Sequence, residues 1–235
     1  MFEMSHKGRQ VHEMFRGIAP RYDFLNRLLS LGFDIRWRRF AVNLIDYSSG
    51  GRILDVATGT GDMALHIASA TPASVSIVGM DFCKEMIDIA STKTGISSHP
   101  DRILFAVAPC EIIPFRDCAF DSVTIAFGVR NLDNRTQGLR EMYRVLKPGG
   151  KLVILEFSIP RNRIFRHVYQ LYFRCVLPIV GGLFSKLSAY RYLPESVYQF
   201  PSREDFTVDL TSCGFTGIVH HDLTFGIVTV YTGRK

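Results

Sequence analysis

The chain is poor in cysteine. Cys83, Cys110, Cys118, Cys175 and Cys213 are odd in number, scattered, and never in a CxxC spacing. Such a set excludes a disulfide framework and a structural zinc cluster, and points to a reducing, cytoplasmic setting. His220 and His221 are adjacent, so on a strand they face opposite ways and make no metal clamp. No metal is expected. A long uninterrupted apolar run is also missing. The longest candidate, Ile164 to Phe184, is broken by Arg166, His167 and Arg174, whereas a bilayer span needs about 20 mostly apolar residues. Residues 1–20 are polar and charged throughout, which argues against a secretory leader. There is no repeat, no low-complexity tract and no concentrated basic arm, so a nucleic acid partner is not expected despite the net charge of +6.

What is present is ordinary for a folded chain. Hydrophobic residues make up 47% and charged residues 21% of 235 positions, enough for one domain with a sizeable core. A basic surface suits anionic lipid or an acidic substrate, and equally suits no partner at all. Residues 1–48 read as an N-terminal helical cap, with breaks at Pro20 and Gly32. Over 52–157 short apolar runs alternate with helical segments: RILDVA, VSIVGMD, ILFAVA, DSVTIAF and KLVILEF are the strand candidates. That alternation predicts a parallel sheet with both faces covered. Residues 160–200 form a helical, aromatic-rich insert. Residues 203–235 read as a helix followed by the hairpin GIVHHDL/GIVTVYTG. The fold class is therefore α/β, a single domain with a mostly parallel seven-stranded sheet and a C-terminal antiparallel hairpin.

The strongest local signal is the turn from the first strand, ILDVATGTGD, residues 53–62. Gly59 and Gly61 let a ligand approach the backbone without a Cβ in the way, and ligands of open α/β sheets bind beyond the strands' carboxyl ends. The pattern is not GxGxxG, because Ala64 takes the third glycine position. Asp55 and Asp62 flank the turn; they would repel a pyrophosphate and suit a sulfonium with an α-ammonium group. The reading is S-adenosyl-L-methionine rather than a nicotinamide cofactor. Asp81 follows about 20 residues later, where a carboxylate accepts hydrogen bonds from a ribose diol in either cofactor class. Phe82 and Met86 are placed to pack on adenine. Each residue also has a plainer explanation. Asp55 can serve as a strand-end acceptor, Asp62 as a helix N-terminal acid, and the glycines as turn geometry alone.

Beyond this point the chain resembles a known family, the menaquinone/ubiquinone biosynthesis C-methyltransferases (UbiE/MenG type) among class I, Rossmann-like methyltransferases. The resemblance rests on VHEMFRGIAPRYDFLN, ILDVATGTGD, VTIAFGVRN, LREMYRVLKPGGKLVILEFSIP, YRYLPESV and LTFGIVTVYTGRK. It implies S-adenosyl-L-methionine-dependent C-methylation of a polyprenylated quinol ring, with demethylmenaquinol the expected acceptor and a benzoquinol the alternative. A methyltransferase for another lipid, and a non-catalytic scaffold of a quinone-making complex, are rival readings. It also implies cofactor contacts from Thr58 and Asp81, from Pro109, Cys110 and Glu111 after the third strand, and from Ala126 and Phe127 after the fourth. The family usually shows an acid or amide followed by alanine where this chain has Pro109 and Cys110.

Ring-carbon methylation needs an electron-rich ring, hence the quinol ionised at one hydroxyl. A phenol has a pKa of about 10, so the site must favour the phenolate or supply a base. Arg130 is assigned to the developing phenolate and Asn131 to its orientation; arginine stays protonated and is a poor direct base. Tyr22 and Asp23 are expected to close over the substrate, with Asp23 a base if buried or otherwise a helix cap. Tyr190 and Tyr192 are expected to stack on the ring or to pack in the core.

For the lipid tail, Ile164–Phe184 reads as an amphipathic segment resting on anionic membrane, helped by Arg36, Trp37, Arg38 and Arg39, at the inner face of the membrane. The alternative is a buried cap or the face of a homodimer. Pro109 has no N–H and no side-chain acceptor, so adenine is held less tightly than an acid would hold it. Calorimetry should give a lower dissociation constant for S-adenosyl-L-methionine with Pro109→Asp than with the natural chain; equal constants refute this.

Overall fold

The computed structural model describes residues 5–99, 101–172, 175 and 187–235, with the side chains of 187–191 set aside. Three helices open the chain: α1 (His6–Ile18), α2 (Tyr22–Leu29) and α3 (Phe33–Val42). Ser5 caps α1, its Oγ accepting from Gly8 N. Pro20 lies in the 3-10 turn Ala19–Arg21 between the first two helices. Gly32, at φ +76°, starts α3 in a left-handed conformation open to glycine.

The sheet follows: β1 (Arg52–Val56), α4 (Asp62–Ala70), β2 (Ser76–Asp81), α5 (Lys84–Gly95), β3 (Ile103–Val107), β4 (Phe120–Ala126), α6 (Arg135–Val145) and β5 (Leu146–Phe157). After it come α7 (Arg163–Leu171), α8 (Leu187–Gln199), α9 (Arg203–Ser212), β6 (Thr216–Leu223) and β7 (Val228–Arg234). The strand order is β3-β2-β1-β4-β5-β7-β6. β1 to β5 pair in parallel, and β7 runs against both β5 and β6.

Side-chain alternation along each strand feeds two cores. Leu54, Val56, Val123, Ile125, Leu152 and Ile154 pack on one face of the sheet. Ile53, Ile77, Val153, Leu155, Val228 and Val230 pack on the other. This is why the strands read as continuous apolar runs rather than alternating ones. One boundary differs from the sequence reading. β5 begins at Leu146 rather than Lys151, and its pairing with β4 shifts register between Phe120 and Ser122. Gly149 at φ +74° carries the chain through that irregularity.

A second correction concerns α3. Trp37 and Arg38, expected on the membrane side, are both only 5% exposed. Residues 34, 37, 38, 41 and 42 form the buried face of the helix, while Arg36 and Arg39 point to solvent. The spacing i, i+3, i+4, i+7, i+8 assigns those five to the core side whatever their polarity.

Candidate functional site

Two cavities lie over the carboxyl ends of the parallel strands. The first is bounded by the turns after β1, β2, β3 and β4, with α1 laid across it; Gly59, Asp81, Phe82, Met86, Ala126 and Phe127 are on its wall. Pro109, Cys110, Glu111 and Asn131 complete it.

The β1 turn is held from below. Asp55 is fully buried, and its two carboxylate oxygens accept from Thr58 Oγ1 and Thr124 Oγ1, each at 2.6 Å. Burial pushes its carboxyl up to about 6, against the pull of those hydroxyls. Thr58 N donates to Met80 O and Gly61 N to Thr58 O, both at 3.0 Å. The turn thus presents Gly59 to the cavity in a left-handed conformation, φ +56°. Gly128 stands where the β1 and β4 turns touch: a Cβ there would meet the Ala57 Cβ at 2.6 Å.

Asp81 closes β2. Its Oδ2 accepts from Gly59 N and its Oδ1 from Cys83 N, each at 2.9 Å. Each oxygen keeps a lone pair for a ribose hydroxyl. Burial raises its carboxyl to about 6, while the Cys83 and Gly59 N–H groups pull the other way. A bare glycine backbone, a diol-accepting carboxylate and an apolar wall of Phe82 and Met86 fit a nucleoside.

Several expected residues are placed elsewhere. Asp55 and Thr58 sit beneath the turn and are not on the cavity wall. Asp62 is likewise off the wall: it pairs with Lys93 at 2.6 Å and Arg27 at 3.4 Å, and the nearby cations draw its carboxyl down against the opposing effect of burial. The acid that follows the glycine turn therefore faces α2 and α5 rather than the cavity wall. Asp23 accepts from Thr60 Oγ1 and pairs with Lys93 at 2.7 Å, outside both cavities. It latches α2 to the glycine turn. Glu111 is on the wall, but its Oε1 accepts from Asp133 N and Asn134 N, so it braces the loop after β4.

The second cavity, ≈ 320 Å³, is the more apolar one, walled by α2, α3, α7 and α8. Phe15, Tyr22 and Phe127 border both cavities and so separate them. Burial raises the Tyr22 phenol above its ordinary value, with Asn26 and two arginines pulling it down. Phe127 holds φ +57°, a strained state for a bulky residue that fixes its ring between the chambers; Trp37 and Phe157 pack on it at 6.2 and 4.6 Å between centroids.

Arg130 projects into this second cavity from the 3-10 turn Val129–Asn131. Its Nη1 donates to Glu156 Oε1 and to Phe127 O, both at 2.6 Å, and its Nε reaches Ser196 Oγ at 3.3 Å. Asn131 donates to Phe127 O at 3.2 Å and accepts from Tyr192 Oη at 2.9 Å. Tyr192 and Ser196 are one helical turn apart on α8, so one face of that helix docks onto FGVRN. Tyr192 is on the cavity wall and burial raises its phenol. The Tyr190 side chain lies outside the described residues, as does most of the segment beyond Tyr172.

Sequence reasoning missed Glu156, Trp37 and Tyr169. An acid ending the apolar run LVILEF was the available signal for Glu156. Nothing local marks the other two as cavity residues.

The sequence pattern of the ubiE/COQ5 methyltransferase family matches residues 3–235. The chain belongs to the ubiE/COQ5 methyltransferase family. The "Ubiquinone/menaquinone biosynthesis C-methyltransferase UbiE" of Geotalea daltonii is 61% identical over 235 residues, covering 100% of both chains. The "Demethylmenaquinone methyltransferase" of Deinococcus radiodurans is 48% identical over 230 residues, 97% of this chain and 94% of that one. A crystal structure of a SAM-dependent methyltransferase from Aquifex aeolicus matches with TM-score 0.62 at 16% identity, covering 84% of this chain and 88% of that one. At that identity it shows the fold alone. Members of the ubiE/COQ5 family are methyltransferases, and their cofactor, S-adenosyl-L-methionine, fits the first cavity.

A raised Asp81 carboxyl means the cavity site holds its proton up to about pH 6. A ribose diol prefers the ionised form, so cofactor binding should strengthen as pH rises through about 6 and weaken below it. Asp81→Asn should weaken binding roughly 10–100-fold, the loss of a hydrogen bond to a charged group, and remove that pH step. Calorimetry across pH 5–8 checks both; a step that survives in Asp81→Asn refutes the assignment.

Proposed function

We propose that the protein transfers a methyl group to a ring carbon of a lipid-tailed quinol, with demethylmenaquinol the acceptor and a benzoquinol the alternative. One observation carries the reading: a charged donor, Arg130, is held in a large apolar cavity that adjoins a nucleoside-shaped one across a single aromatic partition. Bound in the first cavity, S-adenosyl-L-methionine supplies an electrophilic methyl on a sulfonium. Asp81 orients the ribose, and Phe82 and Met86 pack on adenine.

In the second cavity Arg130 stabilises the phenolate, its charge partly balanced by Glu156 so that an apolar ring is still admitted. Asn131, held by Tyr192, faces the first cavity and, like Arg130, donates to Phe127 O, so it helps align the ring through the aromatic partition. Proximity across the partition supplies much of the acceleration. The proton leaves through water polarised by Arg130, since arginine keeps its own.

The tail exits toward α2 and α7. Leu31 and Phe33 border the cavity and are 78% and 38% exposed. On α7, Ile164, Val168 and Leu171 are exposed apolar residues, and Val168 also borders the second cavity beside the buried Tyr169. Arg36, Arg39 and Arg163 are exposed nearby in sequence. Among the described residues no helix is long and apolar enough to cross a membrane. This rim therefore rests on anionic lipid as a peripheral face.

Arg130→Lys keeps a charge beside Glu156 but loses the guanidinium fork. It should fold, bind cofactor normally, and lose about 10²–10³-fold in kcat, the cost of one oxyanion donor. Mass spectrometry with reduced demethylmenaquinol and a demethylated ubiquinol precursor reads activity and ring preference together; natural protein inactive on both quinols overturns the proposal. Ile164→Asp with Val168→Asp should abolish co-sedimentation with anionic vesicles at low salt. Undiminished binding, or a change in oligomeric state instead, removes the membrane face.

A further inference from the structure

Arg38 is a buried cation that the fold leaves incompletely satisfied. It is 5% exposed and borders the second cavity. Its Nη1 donates to Asp34 Oδ2 at 2.8 Å, one turn earlier on α3. Its Nε is fully buried and has no hydrogen-bond partner, and among the described residues Nη2 makes no hydrogen bond. Burying a charged donor with bonds unmade is costly. A leucine or methionine would fill the same place on α3 without that cost. The surroundings repeat those of Arg130. The Arg38 Cζ lies 5.4 Å from the Phe127 ring centroid, and the Arg130 Cζ lies 5.3 Å from that of Phe157. The two rings are themselves 4.6 Å apart. Each guanidinium thus sits over one of two adjoining rings and keeps donors for a ligand; Glu156 balances Arg130, and Asp34, which also reaches Arg27 at 3.5 Å, balances Arg38.

We propose that Arg38 is a catalytic residue that binds the second oxygen of the ring, so that Arg130 and Arg38 together select a para-dihydroxy aromatic ring over a monohydroxy one. This rests on the reading of the second cavity as a quinol site. Arg130 holds the oxygen beside the reacting carbon, and Arg38 donates to the oxygen across the ring. The ionised ring carbon forms its bond to the methyl carbon as the carbon–sulfur bond breaks, with the electron pair leaving on sulfur. The ring carbon's hydrogen then departs as a proton and aromaticity returns. Arg38 keeps its proton throughout and acts by hydrogen bonding. A ring lacking the para oxygen leaves this buried donor unpaired, which is what makes such a site discriminate.

The experiment compares two short-tailed substrates: a 1,4-dihydroxynaphthalene, and its analogue with hydrogen in place of the hydroxyl remote from the reacting carbon. The full chain with S-adenosyl-L-methionine is assayed as natural protein, Arg38→Lys and Arg38→Met, with cofactor affinity and melting temperature as controls of folding. The ratio of kcat/KM for diol over monohydroxy ring should fall at least 10-fold in Arg38→Met, with Arg38→Lys between. The ring's own reactivity cancels when natural protein and variant are compared. A variant that slows both substrates equally shows a structural role and overturns the proposal, as does one that slows neither.

Natural protein that methylates neither ring counts against the quinol reading instead. Binding then decides Arg38, as it does if Arg38→Met fails to fold. Trp37 is the only tryptophan and borders the cavity, so quenching of its fluorescence reports occupancy. The natural protein should bind the diol at least 10-fold more tightly than the monohydroxy ring; equal affinities overturn the proposal.

Discussion

The pairing of Arg130 with Glu156 is the constraint on which the site turns. A chamber that admits a lipid-tailed ring must be apolar, yet favouring a phenolate requires a positive donor. An unpaired guanidinium in such surroundings is strongly disfavoured. Glu156, wholly buried at the end of β5, offsets that penalty at 2.6 Å and also accepts from Arg130 N and Phe157 N. Because the carboxylate is anchored by the strand, the guanidinium cannot swing away. The β4–β5 register therefore sets the position of a charge as well as the shape of the sheet.

The N-terminal helices are tied to the cofactor turn by a polar chain rather than by apolar packing alone. Lys93 on α5 bridges Asp23 of α2 and Asp62 of α4, while Arg27 of α2 reaches Asp62 and Asp34. Acids that look from sequence like cofactor ligands serve here as anchors. Their partners lie 31 to 70 residues away, and no local pattern reports such a distance. Asp62 and Asp23 therefore resemble ligand residues in sequence, whereas Gly59 and Asp81, which answer backbone and strand-end demands, are legible as cavity residues from sequence alone.

The same contrast runs through the rest of the chain. Strand runs, the breaks at Pro20 and Gly32 and the C-terminal hairpin are readable because each follows from a local period or a turn residue. FGVRN was readable as a motif, and its turn does carry Arg130 into one cavity and Asn131 onto the wall of the other. WRR within α3 misled because a basic, aromatic triplet resembles an interfacial anchor. Helical phase, not residue type, decides burial there. Asp34 and Arg38, four apart and of opposite charge, share one helix face, and the apolar Trp37, Ala41 and Val42 on that face mark it as the inward one.

The fold positions a methyl donor but does not choose its acceptor; a solved methyltransferase only 16% identical shares the fold. On the proposed reading the choice falls to the second cavity, built from α2, α3, α7 and α8 and from the loop after β4. These segments lie outside the cofactor half of the sheet. They meet it at Phe127, whose strained backbone places one ring against both chambers. Any change that relaxes that residue would alter two distances together, donor to ring and ring to arginine. On the proposed reading, substrate choice and reaction geometry are therefore coupled through the side chains that border both chambers, Phe127 together with Phe15 and Tyr22.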